Sequence, residues 1–342
     1  MMKDSLNIAI AGATGYVGIE LIKILSKHPK AKIIYLCAQK SIGKKINTFN
    51  KDIKKKNLPK ISHIRNINWN KIDVIFVALP NGEAHKLAIS KPKKVKLIDL
   101  SADFRLDSIE TYKKWYGKNL KSKKLLKKSI YSITEFKKKK LPYFNIISCP
   151  GCYPTSIQIP LIPIMKNKMI NPKNIIVDSK SGYSGAGKNI KKKFNYKNLF
   201  NSVSAYGVGS HRHMAEIDQE ISKVSKIKSK ITFTPHLIPM FRGILSTIYL
   251  ETKKNYTAKS IYNYLQKYHK NNFFIKFAKF NSPIGTGIVM NTNFCQISVC
   301  KSRFSNKVII NSAIDNLLKG GSGQAVQNMN AAFKLKETLG LI

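Results

Sequence analysis

The chain has 342 residues, 43% hydrophobic and 10% aromatic, enough for two domains with cores of ordinary size. No apolar run approaches the ~18 residues of a membrane span. Five scattered cysteines in so long a chain exclude a disulfide-framed mini-domain and make a reducing cytoplasm the expected setting. The formal charge of +44 raises nucleic acid as a partner, but it comes from 56 lysines against five arginines, with no base-reading motif. Specific nucleic-acid binding is therefore not expected, and a solvated lysine surface is.

The opening "MMKDSLNIAI" lacks a basic region followed by an apolar stretch and is read as an unprocessed start. "LNIAIAG" reads as a buried strand. "GYVGIELIKILSK" places Val17, Leu21, Ile24 and Leu25 on one helical face, and His28-Pro29 ends it. "AKIIYLCA", "IDVIFVALP" and "VKLIDLSADF" are three further strands, with helical "GEAHKLAIS" between the last two. This alternation predicts a parallel sheet covered on both faces. Residues 118–140 are lysine-dense and are expected to form a surface excursion. After about residue 150 the strands are "NIIVDSK", "KITFTPHL", "GILSTIYLET", "FCQISVC" and "KVIINSA", and one helix is "AKSIYNYLQKYHK". That half reads as α+β with a mixed or antiparallel sheet. The end, "SGQAVQNMNAAFKLKE", is a helix with Val326, Met329 and Phe333 on one stripe, expected to return to the first domain.

The loop "AGATGYVG" spaces Gly12, Gly15 and Gly18 between a strand and a helix, the arrangement that brings a backbone turn and helix N–H groups to a pyrophosphate. Its candidate cofactor contacts are Gly12, Thr14, Gly15, Tyr16 and Val17. The second strand ends in "LCAQKSIGKK", with no acid for a ribose hydroxyl and with Gln39, Lys40, Ser41, Lys44 and Lys45 at hand. Missing carboxylate plus cations predicts NADP rather than NAD. "SGYSGAGKN" approaches a P-loop, but Asn189 stands where a Ser or Thr would hold magnesium, so a glycine-rich anion nest ending in Lys188 is expected instead.

"IISCPGCYPT" sets Cys149 and Cys152 three apart. A redox pair, half of a zinc site and a single nucleophile are all open on spacing alone. Pro154 and the apolar run after it predict a helix starting at Cys152, whose aligned N–H dipoles stabilise a thiolate. A catalytic cysteine needs a proton partner. "SAYGVGSHRHMAEIDQE" offers His211 as first candidate and His213 as second. Arg105, Arg212 and Arg242 are candidate clamps for a substrate anion, with Lys188 beside them. His236, in a strand-like run, is expected to be structural.

Together "GATGYVG", "LSADFRL", "PGCYPT", "SGYSGAGK", "HRHMAEI", "PMFRGI" and "KGGSGQAVQN", in this order, resemble the N-acetyl-γ-glutamyl-phosphate reductases of arginine biosynthesis over nearly the whole chain. The resemblance implies an α/β fold: a Rossmann-type dinucleotide-binding domain over 1–150, completed by the C-terminal segment 312–342, and a second, α+β catalytic and dimerisation domain over 151–311. It implies NADP as cofactor, a small-molecule substrate and a homodimer or homotetramer; no membrane association and no metal are expected. Cys152 becomes the nucleophile, the histidine matching His211 the acid/base, and Ser101, Ala102, Gly185 and Asn316 line the cofactor. The implied reaction is NADPH-dependent reduction of N-acetyl-γ-glutamyl phosphate to N-acetylglutamate 5-semialdehyde through a cysteine thioester. Rival readings are a related acyl-phosphate reductase, such as aspartate-semialdehyde dehydrogenase, and a non-enzymatic basic nucleic-acid-binding protein. Pro160 departs from the family pattern and is expected to kink the helix after Cys152.

Overall fold

The computed structural model describes residues 4–55, 57–188 and 201–342. The chain divides into two units, one of residues 1–150 with 321–342 and one of residues 151–320.

In the first unit, β1 (Leu6–Ala11) leads into α1 (Tyr16–Lys27), then β2 (Ala31–Cys37), β3 (Ile61–Ser62) and β4 (Val74–Val77). Next come α2 (Glu83–Ser90), β5 (Lys96–Asp99), α3 (Ile109–Tyr116), α4 (Lys123–Lys127), β6 (Ser129–Tyr131), α5 (Thr134–Lys137) and β7 (Ile146–Ser148). The strands form one parallel sheet in the order β3-β2-β1-β4-β5-β7-β6. β1 and β4 are buried almost throughout, as a parallel strand covered on both faces must be. Ile8, Ile10, Leu21, Ile22, Leu25 and Phe76 share one core cluster with Val326 and Met329 of the C-terminal helix Gly323–Ala332. Each such side chain contributes about 1.5–3 kcal/mol on burial.

Two expectations change here. Residues 118–140 are not only a surface excursion, because Ser129–Tyr131 pairs with β7 as the edge strand β6 and Ile130–Glu135 is buried. The apolar "SIYSIT" wins over the lysines on either side. The return to the first unit begins at Gly321 rather than at 312, because Ser312–Ile314 complete the last strand of the second sheet.

The second unit opens with α6 (Cys152–Lys166), followed by β8 (Ile170–Gly182), β9 (Ser204–Ala205), α7 (His213–Ser225), β10 (Thr232–Ile238) and β11 (Ile244–Thr252). Then come α8 (Ala258–Tyr268), β12 (Ile275–Phe277), β13 (Cys295–Lys301) and β14 (Lys307–Ile314). The sheet is mixed, in the order β12-β13-β14-β11-β8-β10-β9, with β8/β10 and β12/β13 parallel and the other neighbours antiparallel. α6 packs on β8, β11 and β14 and also meets α7 and α8, so it is buried nearly all round.

α6 continues through Pro160 and Pro163 to Lys166. Pro163 has no N–H for the Ile159 carbonyl one turn back. The His269 imidazole supplies that donor from Nε2 at 3.2 Å, while its Nδ1 accepts from Asn272.

Candidate active site

In the first unit the glycine loop joins β1 to α1 at the centre of the sheet, where the strand order reverses and the carboxyl ends of an open α/β sheet take ligands. Gly12 has φ +88°, and a β-carbon there would stand 2.2 Å from the Ala78 carbonyl oxygen. A β-carbon on Gly18 would meet the Gly12 oxygen at the same distance. The loop is tied to β2 by N–H groups of Gly12 and Ala13, both donating to the Cys37 carbonyl. No side chain caps the N-terminus of α1. A bare turn, glycines where side chains would collide, and an uncapped helix start fit a dinucleotide pyrophosphate. Thr14, Gly15, Tyr16 and Val17 are all partly exposed there.

Beside the loop a cavity of about 240 Å³ is lined by Ala11, Ala38, Gln39, His63, Leu79 and Leu87, among others. Gln39 thus lines it as well as standing at the strand end, and Lys40 is exposed next to it. His63, which sequence reasoning did not single out, accepts from both the backbone N–H and Nε of Arg65. The carboxylate in the lining, Glu83, is paired with Lys86 at 2.7 Å.

The "LSADFRL" segment folds around two buried carboxylates. Asp99 accepts from Ser101 N–H and Oγ, from Phe104 N–H and from the Ser148 hydroxyl. Asp103 accepts from the Gly82 and His85 amides and from the Tyr112 hydroxyl. Burial, with the charge of Asp103 added, pushes Asp99 up to about 6. The turn between them holds Ala102 at φ +89°, so Ser101 and Ala102 are fixed at the end of β5. Arg105 is buried and donates from Nε to the Cys149 carbonyl, with a longer contact to the Leu100 carbonyl. It braces the two strand ends.

Cys149 is fully enclosed in this unit, with the Asn328 amide 3.5 Å from its sulfur. Burial pushes its thiol up to about 12. Cys152 differs in every respect. It is partly exposed, and it is the first residue of α6, whose N-cap Gly151 carries no side-chain cap. Gly320 presents bare backbone to it: a β-carbon there would come within 2.7 Å of the Cys152 β-carbon. All five cysteines are free thiols. Among the described residues no group of three or more His, Cys, Asp or Glu side chains is arranged to hold a metal ion.

Both candidate histidines pack against chain neighbours of Cys152. The His213 ring lies against Gly151, where a β-carbon would be 2.4 Å from Nε2, and edge-on to Tyr153. The His211 ring packs edge-on against Tyr153, Tyr206, Phe233 and His213. This aromatic nest is further fixed by the Tyr153 and Tyr206 hydroxyls, 3.0 Å apart. Burial, and then the charge of Arg212, hold His211 down to about 4. The His213 backbone N–H donates to His211 Nδ1 at 3.2 Å, so the neutral ring carries its proton on Nε2. Glu216, one turn along α7 from His213, is fully buried and accepts the Gly151 N–H at 3.0 Å.

Across the unit, Asn316 accepts from the Gly243 amide and donates to the Ser184 hydroxyl, which brings it beside Gly185. Arg242 joins this group and pairs with fully buried Asp315 at 2.8 Å, with a further bond to Asn291. Arg212 and Lys188 are exposed. Asn189 of the near-miss P-loop lies outside the described residues. His236 pairs with Asp178 on the sheet. Glu216, Gly320 and His63 were missed in the sequence. A lone Glu one helical turn beyond "HRH" was a faint signal for the first, and nothing local marked the other two.

A model of the semialdehyde dehydrogenase NAD binding domain matches residues 7–143, and one of the semialdehyde dehydrogenase dimerisation domain matches residues 152–316. An N-acetyl-gamma-glutamyl-phosphate reductase from Thermoanaerobacter pseudethanolicus is 43% identical over 340 residues, covering 98% of each chain. One from Ehrlichia ruminantium (strain Gardel) is 40% identical, covering 100% of this chain and 99% of that one. Among solved structures, aspartate semialdehyde dehydrogenase II from Vibrio cholerae superposes with a TM-score of 0.74 at 17% identity, over 97% of this chain and 99% of that one, a likeness of fold.

Proposed function

The chain belongs to the N-acetyl-gamma-glutamyl-phosphate reductases within the semialdehyde dehydrogenases, and on that premise we propose how its residues carry out the reduction of N-acetyl-γ-glutamyl phosphate to N-acetylglutamate 5-semialdehyde. The observation that carries the proposal is Cys152 at an uncapped helix start whose chain neighbours, Gly151 and Tyr153, pack against the adjacent rings of His213 and His211. The helix dipole favours the thiolate. That thiolate attacks the acyl-phosphate carbonyl, the C–O bond to phosphate breaks, and a thioester forms. The one proton consumed overall goes to the departing phosphate. A nicotinamide dinucleotide held at the glycine loop would supply hydride; the Cys152 thioester carbon that accepts it becomes a thiohemiacetal oxyanion. The N–H groups at the start of α6 hold that developing charge. The carbonyl then re-forms and Cys152 leaves as a thiolate. His211, neutral with its proton on Nε2, supports the departing sulfur as a hydrogen-bond donor, with His213 as the second candidate.

The cofactor is a nicotinamide dinucleotide held by the glycine loop. Its specific form is proposed as NADP. Lys40, Lys44 and Lys45 are exposed after β2, Arg65 is held on His63 at the cavity, and the carboxylate of Glu83 already has a lysine partner. Gly12, Thr14, Gly15, Tyr16, Val17, Gln39, Ser101 and Ala102 are the proposed contacts in the first unit, with Gly185 and Asn316 in the second. For substrate anions Arg212 and Lys188 are the exposed candidates, while Arg105 and Arg242 brace the backbone and Asp315 around the site. A homodimer or homotetramer is proposed through the second unit, which matches the dimerisation-domain model. No helix among the described residues is long and apolar enough to cross a membrane, and the free thiols suit a cytoplasmic setting.

The test is phosphate-dependent reduction of NADP⁺ in the reverse direction. N-acetylglutamate 5-semialdehyde is the expected substrate. Preference for aspartate semialdehyde would move the chain to the sister activity.

A further inference from the structure

We propose that Glu216 is a positioning residue for the nucleophile, acting through Gly151; the role rests on Cys152 being that nucleophile. Gly151 has φ −66° and ψ 159°, a conformation open to any residue, so glycine is not there for backbone freedom. It is there because α7 closes on it from two sides. The His213 ring occupies the space of a side chain, and the Glu216 carboxylate takes the N–H at 3.0 Å. His213 and Glu216 are three residues apart and share one face of α7. The tie is reciprocal, because buried Gln158 on α6 lies with its amide nitrogen 3.4 Å from the Glu216 carbonyl. Gly320 lies against Cys152 with bare backbone.

A fully buried carboxylate is costly in any protein, and in a chain with 17 acids against 61 bases the solvated partners are abundant elsewhere. Here one of its oxygens accepts the N–H of Gly151, the residue before Cys152. This N–H is that of the N-cap residue, so the carboxylate fixes its peptide while the oxyanion is proposed to rest on the next two amides, those of Cys152 and Tyr153. The carboxylate thereby sets the direction from which the sulfur meets a carbonyl.

Two near-isosteric variants separate position from charge. Glu216→Gln keeps an acceptor at the same reach, and Glu216→Asp keeps the charge but withdraws it by one methylene. Turnover, KM, alkylation of Cys152 by iodoacetamide, and melting are measured on the full chain, with Cys152→Ser alongside. Glu216→Asp is expected to lower kcat roughly 10- to 100-fold, with KM nearly unchanged and alkylation slowed. Glu216→Gln is expected to restore most of the turnover. Wild-type kcat in Glu216→Asp, or a fall in Glu216→Gln as deep as in Glu216→Asp, overturns the role. Turnover surviving in Cys152→Ser overturns the nucleophile instead, so the two failures are distinct.

Discussion

The imidazole of His213 occupies the space in which residue 151 would carry a side chain, with Nε2 2.4 Å from the position of a β-carbon on Gly151. Gly151→Ala must therefore displace the ring, because both groups are buried and the backbone at 151 is held by Glu216. The variant is expected to lose about 1–3 kcal/mol of stability by overpacking. It is expected to lose roughly 10- to 100-fold in kcat through misplacement of the site. Denaturant melts and steady-state turnover check the two. Unchanged turnover would detach His213 from the chemistry.

Cys149 is expected to be dispensable for catalysis. Its thiol is buried and pushed up to about 12, so it stays protonated at neutral pH. Cys149→Ala should keep turnover near wild type while costing about 1–2 kcal/mol through the lost buried sulfur. Iodoacetamide on the native enzyme should label Cys152 well before Cys149 or Cys37, the last held at about 11 by burial. Loss of turnover in Cys149→Ala would restore the paired-cysteine reading.

The fold expresses the placement of His211 in its pH dependence. Its folded value of about 4 lies below the ordinary 6.5. Between those values the unfolded chain binds a proton that the folded chain does not. Stability from this group is therefore present above pH 6.5 and is lost as pH falls toward 4. Asp99, raised to about 6, works in the opposite direction, so the comparison belongs between wild type and His211→Asn. Across pH 6.5 to 4 the wild type should lose ground to the variant by of order 2–3 kcal/mol. A pH-independent difference would show that the histidine titrates normally.

Much of this was legible because the signals are local. The parallel strands appear as short apolar runs, the proposed cofactor loop as glycines between a strand and a helix, and the proposed nucleophile as a cysteine two residues before a proline. Cys149 and Cys152 separate once Pro154 marks a helix start. What was hidden depends on distant contacts. β6 was masked by flanking lysines whose charged ends stay in solvent while "SIYSIT" turns inward. The Ile159 carbonyl that Pro163 leaves without a helical donor is met by His269, more than a hundred positions away. The tie from Glu216 to Gly151 crosses between two helices, and no spacing in the chain encodes it. The strand running to Ile314 moved the expected boundary, because its last residues pair with β11 and β13.

Cofactor preference should reside in the cations after β2. Lys40→Ala is expected to weaken NADPH binding about tenfold, the worth of one charge-assisted hydrogen bond, and to leave NADH binding nearly unchanged. Gly12→Ala should abolish binding of both, since φ +88° and the Ala78 carbonyl leave no room for a methyl group. Fluorescence titration measures both constants. Equal affinity of the wild type for NADH and NADPH would contradict the assignment.

The most direct measurement follows the acyl group itself. The enzyme is incubated with N-acetylglutamate 5-semialdehyde and NADP⁺ without phosphate, quenched in acid and digested, and its peptides are weighed. Oxidation of the aldehyde on the enzyme should leave one N-acetylglutamyl thioester, on the peptide containing Cys152, and added phosphate should discharge it. No acyl adduct in an enzyme that turns over, or an adduct on another residue, would contradict the account.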